Sequence, residues 1–248
     1  MQKTLQFEEP IIIAGPCALE KYAMMNVIAK HLTSKGIKIL RAGVFKPRTS
    51  PHDFQGLGLD GLSILNQIKK RYNVQIVSEI VDIRHIDDMC GVVDILQVGS
   101  RNMYNYELLK ELGKIKFPIL LKRGISATIN EFINAAQYII KNGNTEIILC
   151  ERGVRSFDNA TRNTLDLSCV PIIKKELNLP IITDISHSLG RKDIAIPMAK
   201  AALAAGADGI MVEVHNNPTQ ALSDNEQQMS LQEFDTFYRE IKHFIRIL

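Results

Sequence analysis

The 248-residue sequence has no tryptophan, and aromatic residues make up only 6% of it. Its core must therefore come from aliphatic side chains, which dominate a hydrophobic fraction of 46%. Cysteine is scarce. Cys17, Cys90, Cys150 and Cys169 stand far apart, which excludes a CxxC zinc ribbon, argues against a disulfide framework and fits a reducing compartment. Long apolar runs are missing too: the longest reach about five residues, against roughly 20 needed to span a bilayer. The N-terminal MQKTLQFEEP carries charges where a signal peptide needs an apolar stretch. These absences predict a cytoplasmic protein with no membrane partner. A net charge of +3 with no basic run argues against nucleic acid as a partner. With no low-complexity linker or composition break, residues 1–248 are expected to form a single domain without a separate regulatory domain.

What the chain does contain is a recurring alternation. Short β-branched runs lie at Ile11–Ala14, Lys38–Arg41, Val74–Ser78, Asp94–Val98, Pro118–Leu121, Glu146–Cys150, Pro180–Thr183 and Asp208–Val212. Each is apolar almost throughout, as parallel strands buried on both faces are. Helical periodicity fills the gaps over Tyr22–Lys35, Leu57–Tyr72, Asn105–Leu112, Ile129–Asn142, Thr164–Leu177 and Ile194–Ala205, and Leu231–Leu248 closes the chain. Eight strands alternating with helices predict a (β/α)8 barrel of the TIM type, with an open doubly wound sheet as the competing architecture.

Polar residues gather directly after the strand runs, where the mouth of such a barrel carries its active site. The barrel reading places Arg41, Lys46, Arg48, Arg101, Lys122, Arg152 and Arg191 around one opening. Like charges so close repel, and phosphate is the natural counter-ion, since Arg grips its oxygens with paired donors and Lys adds a point charge. The number of cations suits two phosphorylated substrates. Taken singly, each of these residues is more often a solvated surface cation.

A second cluster draws on the first and last strands, which are neighbours in a closed barrel. Cys17, His187, Glu213 and Asp224 can meet there. A thiol, an imidazole and two carboxylates suit Zn²⁺, Fe²⁺ or Mn²⁺ better than Mg²⁺ or Ca²⁺. Alone, Cys17 reads as a small core residue, His187 as a hydrogen-bonded loop histidine and Asp224 as a helix or turn cap. Glu213, after Gly209-Ile210-Met211-Val212, would be costly to bury unpaired. Cys90 and Cys169 fall in or near helices and read as structural, and His52 and His85 as solvated.

In order, the motifs AGPC, RAGVFKPRTSP, SEIVD, LQVGSRNM, LKRG, CERG, DISHSLGR and EVH…ALSD resemble the 3-deoxy-7-phosphoheptulonate (DAHP) synthase family. The match is to its compact microbial type, which is related to 3-deoxy-octulosonate 8-phosphate synthase. The resemblance runs over nearly the whole chain. It implies condensation of phosphoenolpyruvate with erythrose 4-phosphate, the first step of the shikimate pathway to aromatic amino acids. It also implies one divalent metal ion (Mn²⁺, Fe²⁺, Zn²⁺ or Co²⁺) on Cys17, His187, Glu213 and Asp224. The exposed helices of such a barrel lead to the separate expectation of a homo-oligomer, dimer or tetramer. By the same likeness Arg101, Lys122 and Arg152 hold the phosphoenolpyruvate phosphate, and Arg41 and Lys46 lie near its carboxylate and reacting carbons. Arg48, Thr49, Ser188 and Arg191 form the sugar-phosphate grip. Ile185, Tyr104 and Asn216-Asn217 depart from residues common in the family, without removing an implied ligand.

The expected chemistry begins with the weakly nucleophilic C3 carbon of phosphoenolpyruvate. Lys46 is the expected proton donor to the aldehyde oxygen. Glu79 or Glu151 is expected to orient the water that adds at C2, with Lys122 sharing its proton. Three rivals remain. One is the octulosonate synthase acting on arabinose 5-phosphate, whose loop after the second strand typically resembles KANRSS where this chain has Lys46-Pro47-Arg48-Thr49-Ser50. Another is a barrel aldolase forming a Schiff base on Lys122. The third is a binding module without turnover.

Overall fold

The computed structural model describes residues 7–247. Residues 1–6, which entered the reading of the N-terminus, and Leu248, the expected end of the last helix, lie outside the described residues. Eight parallel strands close into a barrel in sequence order. They are β1 (Ile11–Gly15), β2 (Ile39–Arg41), β3 (Gln75–Ile80), β4 (Ile95–Val98), β5 (Ile119–Lys122), β6 (Ile147–Glu151), β7 (Ile181–Asp184) and β8 (Gly209–Glu213). The (β/α)8 expectation therefore holds, and the open sheet is excluded by the pairing of β1 with both β2 and β8.

The strands are apolar because both of their faces are buried. Residues such as Ala14, Leu40, Ile76, Leu96, Leu121, Leu149 and Ile181 face outward into the main core beneath the helices. Their neighbours Ile13, Ile39, Val77, Ile95, Leu120, Ile148, Ile182 and Met211 form a separate core inside the barrel. Strict two-residue alternation produces this division.

The helices are α1 (Tyr22–Ser34), α2 (Asp60–Tyr72), α3 (Ile86–Cys90), α4 (Tyr106–Lys114), α5 (Ile129–Lys141), α6 (Cys169–Leu177), α7 (Ile185–Leu189), α8 (Ala195–Ala204) and α9 (Leu231–Ile245). Capping boxes, Thr128 with Glu131 and Ser230 with Glu233, start α5 and α9. Two helices begin later than their periodicity suggests. Before α2 the backbone turns, with Gly58 N donating to Val44 O. Before α6, Thr164 is drawn into an antiparallel bridge with Val154. Two short helices, α3 and α7, escaped the sequence reading because each is only five residues long. Among the described residues no helix is long and apolar enough to cross a membrane.

Closure imposes one tight approach at the mouth. Gly15 has φ +145°, and a Cβ there would lie 2.2 Å from the backbone oxygen of Arg41. Neither backbone can yield without opening the β1–β2 pair. The substitution Gly15→Ala is therefore expected to destabilise the barrel by at least about 2 kcal/mol. Thermal unfolding checks this: the midpoint should fall by ~4–8 °C for a chain of this size, and an unchanged midpoint would mean the approach is not constrained as described.

Candidate active site

The same alternation that builds the inner core selects what faces the mouth. One step of two residues beyond Ile39, Val77, Ile95, Leu120, Ile182 and Met211 reaches Arg41, Glu79, Gln97, Lys122, Asp184 and Glu213. The barrel interior thus turns from apolar to charged within one layer, at the strand ends where sites of this fold form. Above that layer is a cavity of about 360 Å³, lined by Arg41, Lys46, Arg48, Thr49, Glu79, Arg101, Lys122, Arg152, Arg155, Arg162, His187 and Asp224 among others.

Four side chains converge at one side of this cavity. Cys17, His187, Glu213 and Asp224 each offer a ligand atom, and these atoms all lie within 4.8 Å of one another. Glu213 ends β8, His187 lies in the short helix α7, and Cys17 and Asp224 come from the segments after β1 and β8. Asp224 reaches the cluster from a left-handed backbone conformation, φ +45°, a strain that persists only where the surroundings enforce it.

The electrostatics of this cluster call for a cation. Burial pushes the His187 imidazole down to about 4, against the pull of Asp184 and Glu213, so the ring is neutral at physiological pH. Its Nδ1 lies 2.8 Å from Asp184 Oδ2, which draws the single ring proton to that side. The Nε2 lone pair then faces Glu213 Oε1 at 3.4 Å and Asp224 Oδ2 at 3.6 Å. Burial opposes ionisation of both carboxyls, yet their neighbours outweigh it and hold both below the usual range. Acceptors therefore face acceptors. Glu213 Oε1 is buried with no hydrogen bond of its own among the described residues, although Arg41 Nη2 stands 3.1 Å away. Burial, reinforced by Glu213, pushes the Cys17 thiol well up, while Lys46 pulls it down. Lys46 Nζ lies 2.6 Å from Cys17 Sγ and 2.8 Å from Asp224 Oδ2, so an ammonium already partly answers the cluster's negative charge. The mixed sulfur, nitrogen and oxygen donor set fits a divalent transition metal or zinc.

Next to this cluster, Asp184 is a hub that sequence reasoning passed over. Its Oδ2 accepts from Lys122 Nζ at 2.5 Å, holds His187 Nδ1 and lies 3.7 Å from Arg41 Nη1. Its Oδ1 accepts from the His187 backbone N–H and so starts α7. Burial would raise its carboxyl, but His187, Lys122 and Arg41 drive it far below the usual range. The signal was available: Asp184 stands two residues past the inward Ile182. Glu79 also faces the cavity, held by Gln97 Nε2 at 3.2 Å. Burial raises its carboxyl despite the nearby Lys46 and Lys122.

Six of the seven expected cations line the cavity; Arg191 does not. After α7, Gly190 turns the chain at φ +66°, and Arg191 closes on Asp193 with bonds of 2.7 and 2.6 Å at the surface. Arg155 and Arg162 line the cavity instead, from a loop that the Val154–Thr164 bridge folds back over the rim. Ser188 is also absent from the cavity lining: it is fully buried, and its hydroxyl donates to Ile185 O. Glu151 corrects a third expectation. It follows the inward Cys150 and so points outward, where it binds Arg123 Nη1 at 2.9 Å and the Gly153 N–H at 2.6 Å; it cannot orient a water in the cavity. All four cysteines are free. Cys150 faces the inner core, and burial pushes its thiol up to about 12. His85 is not simply solvated: it stacks on Phe45 with centroids 4.8 Å apart, bracing the loop that carries Lys46.

Removing the Asp184 carboxylate leaves Lys122 and Arg41 buried without their shared partner. The variant Asp184→Ala is expected to lose about 3–5 kcal/mol of stability, measured by denaturant unfolding. A loss under about 1 kcal/mol would show that the cations do not depend on this carboxylate.

Comparison with known proteins gives the family of the chain. The model of the DAHP synthetase I family matches residues 7–247. A phospho-2-dehydro-3-deoxyheptonate aldolase of Thermotoga maritima is 49% identical over 231 residues, spanning 93% of this chain and 68% of the relative. The crystal structure of DAHP synthase from that organism superposes with a TM-score of 0.92 at 48% identity, covering 96% of this chain and 69% of the other. A truncated form of the Thermotoga enzyme gives 0.88 at 44% identity, covering 96% and 87%. A 2-dehydro-3-deoxyphosphooctonate aldolase of Geobacter sulfurreducens is more distant, 29% identical over 94% of this chain and 91% of its own length. By a match that runs from the first described residue to the last, this chain belongs to the DAHP synthetase I family.

Proposed function

We propose that this chain condenses phosphoenolpyruvate with erythrose 4-phosphate and water to give 3-deoxy-D-arabino-heptulosonate 7-phosphate and inorganic phosphate, the entry step of the shikimate pathway. The observation that carries this reading is the direct junction of two features. A cavity lined by cations shares His187 and Asp224 with a cluster of four metal-type donors, and Lys46, which lines the cavity, reaches Cys17 and Asp224 of that cluster. The cavity suits two anionic substrates, and the junction lets a reacting oxygen sit beside the ligand cluster.

Cys17, His187, Glu213 and Asp224 would hold one divalent ion, Mn²⁺, Fe²⁺, Zn²⁺ or Co²⁺. When bound, it supplies Lewis acidity toward the aldehyde oxygen. The chain's own groups do the rest. Arg101, Lys122 and Arg152 bind the phosphate of phosphoenolpyruvate, and Arg41 and Lys46 its carboxylate side. Arg48 and Thr49 take the sugar phosphate, with Arg155 and Arg162 as the further cations of that cavity in place of Ser188 and Arg191. Holding both anions together offsets the repulsion that keeps them apart in water.

As C3 of phosphoenolpyruvate bonds to the aldehyde carbon, Lys46 gives a proton to the carbonyl oxygen. Burial opposes the charge of Lys46, but Cys17 and Asp224 raise its pKa well above normal, so it enters the step protonated. Water adds at C2 as positive character develops there. Glu79 orients that water and takes its proton, and the burial that raises the Glu79 carboxyl makes it a better base. Arg101 and Arg152 stabilise the phosphate as its C–O bond breaks. His187 takes part as a neutral donor held by Asp184.

The 49% identity to the heptonate enzyme against 29% to the octonate enzyme supports the four-carbon aldehyde, as does Lys46-Pro47-Arg48-Thr49. A Schiff base on Lys122 is disfavoured by its ion pair with Asp184. The reading also includes a cytoplasmic, self-associating enzyme, consistent with its free thiols.

A turnover assay tests the proposal. Phosphate release should require both phosphoenolpyruvate and erythrose 4-phosphate, cease in EDTA and return with Mn²⁺. Arabinose 5-phosphate should be used at least about tenfold less efficiently in kcat/KM, a difference of ~1.4 kcal/mol in transition-state binding. Full activity in EDTA, or preference for arabinose 5-phosphate, contradicts it.

A further inference from the structure

Glu213 is wholly buried, and its two oxygens have different neighbours. Oε1 faces Arg41 and the ligand cluster. Oε2 accepts a 2.5 Å hydrogen bond from Gln227 Nε2. Gln227 is itself buried, and its amide has one donating and one accepting end. The accepting end, Oε1, takes a 2.7 Å bond from Arg162 Nη1. A guanidinium can only donate, so Arg162 fixes which end of Gln227 is presented to Glu213. Without it the amide could flip and set oxygen against oxygen.

Arg162 is placed to do this by α7 and the glycine that ends it. Its backbone N–H donates to Leu189 O, and the next residue's N–H donates to Ser188 O, both at 2.8 Å. Asn163 Nδ2 reaches the carbonyl of His187 itself at 2.9 Å. Gly190 makes room for the Arg162 stem, since a Cβ there would lie 2.5 Å from Arg162 Cβ. The guanidinium also lies 3.7 Å from Asp224 Oδ1, and the residue lines the cavity. One side chain from the loop after β6 thus touches the anion cavity, a carboxylate of the donor cluster and the amide that holds the other carboxylate.

From this arrangement we infer that Arg162 and Gln227 form a positioning relay. Gln227 holds Glu213 in its ligating orientation, and Arg162 holds Gln227 from the rim of the anion cavity. Neither residue touches reacting atoms through this chain of bonds; both act through Glu213. Because Arg162 is shared with the cavity, an anion that engages it and the ion held by Glu213 are coupled, and by linkage each alters the affinity of the other. The inference rests on the donor cluster of the proposed function binding a metal.

Titration with Co²⁺, followed by thiolate charge-transfer absorption, tests it on the purified full-length chain. Wild type should show the band at one equivalent. Gln227→Leu should weaken Co²⁺ binding about 10- to 100-fold, the range seen when outer partners of metal ligands are removed. Phosphoenolpyruvate binding measured calorimetrically in EDTA should meanwhile stay within about twofold. Arg162→Ala should weaken Co²⁺ binding by a smaller factor, and the double variant should bind no more weakly than Gln227→Leu alone, as residues acting in series do. Wild-type affinity and spectrum in both single variants overturn the relay, as do fully additive losses. If Gln227→Leu does not fold, Arg162→Ala decides, because its side chain is 41% exposed and its loss leaves the core intact. Absence of the thiolate band in wild type is a different failure: it removes the donor cluster and the relay with it.

Discussion

The register between the first and last strands governs this molecule. β1 and β8 pair in parallel with Gly15 opposite Glu213, so the chain leaving β1 delivers Cys17 two residues beyond the level of that carboxylate. On the other side of β8, Asp184 pairs with Met211, and the short helix that Asp184 caps swings His187 back toward Glu213. A slip of one residue in either pairing would turn Glu213 away from the interior, since alternate residues face opposite sides. The ligand cluster is therefore a consequence of barrel closure, and loop chemistry adds only Asp224.

Charge balance is the second constraint. The layer of inward residues at the strand ends carries Arg41 and Lys122 beside Asp184 and Glu213, all nearly or fully buried. Isolated buried charges would be untenable. Here Asp184 neutralises Lys122 and part of Arg41 from below, which leaves the faces of those cations toward the cavity available to an anion. Arg152 shows the other half of the design. Burial lowers its pKa, and the attraction of Asp184 and Glu151 does not make up the difference. Bound phosphate would supply the missing counter-charge. The Arg41 Nε and Nη1 and Arg152 Nε atoms, which lack hydrogen bonds among the described residues, mark the same unmet demand.

Much of this was legible in the sequence, for a physical reason. Strands buried on both faces leave short but unbroken apolar signatures, so their ends, and with them Arg41, Lys46, Glu79, Lys122, His187 and Glu213, could be placed at one mouth. The apolar signature stops one residue too early, however. The runs end at Leu121, Thr183 and Val212, whereas the strands continue through Lys122, Asp184 and Glu213. Counting the alternation through that last polar residue finds Asp184 and excludes Glu151. Arg191 and Ser188 are misplaced by the sequence because a five-residue helix leaves little periodicity to read and yet redirects everything after it. Arg155, Arg162 and Gln227 lie in loops whose paths depend on long-range bonds, such as Arg162 to Gln227 across 65 residues, and local pattern carries no trace of these.

A ligand-specific structural probe addresses the central claim most directly. X-ray absorption on the zinc-loaded protein should show one sulfur neighbour at ~2.3 Å together with nitrogen and oxygen neighbours at ~2.0–2.2 Å. That sulfur can only come from Cys17 if the first and last strands meet as described. A coordination shell of light atoms alone, with the thiol of Cys17 still free, would contradict the cluster on which the proposed chemistry depends.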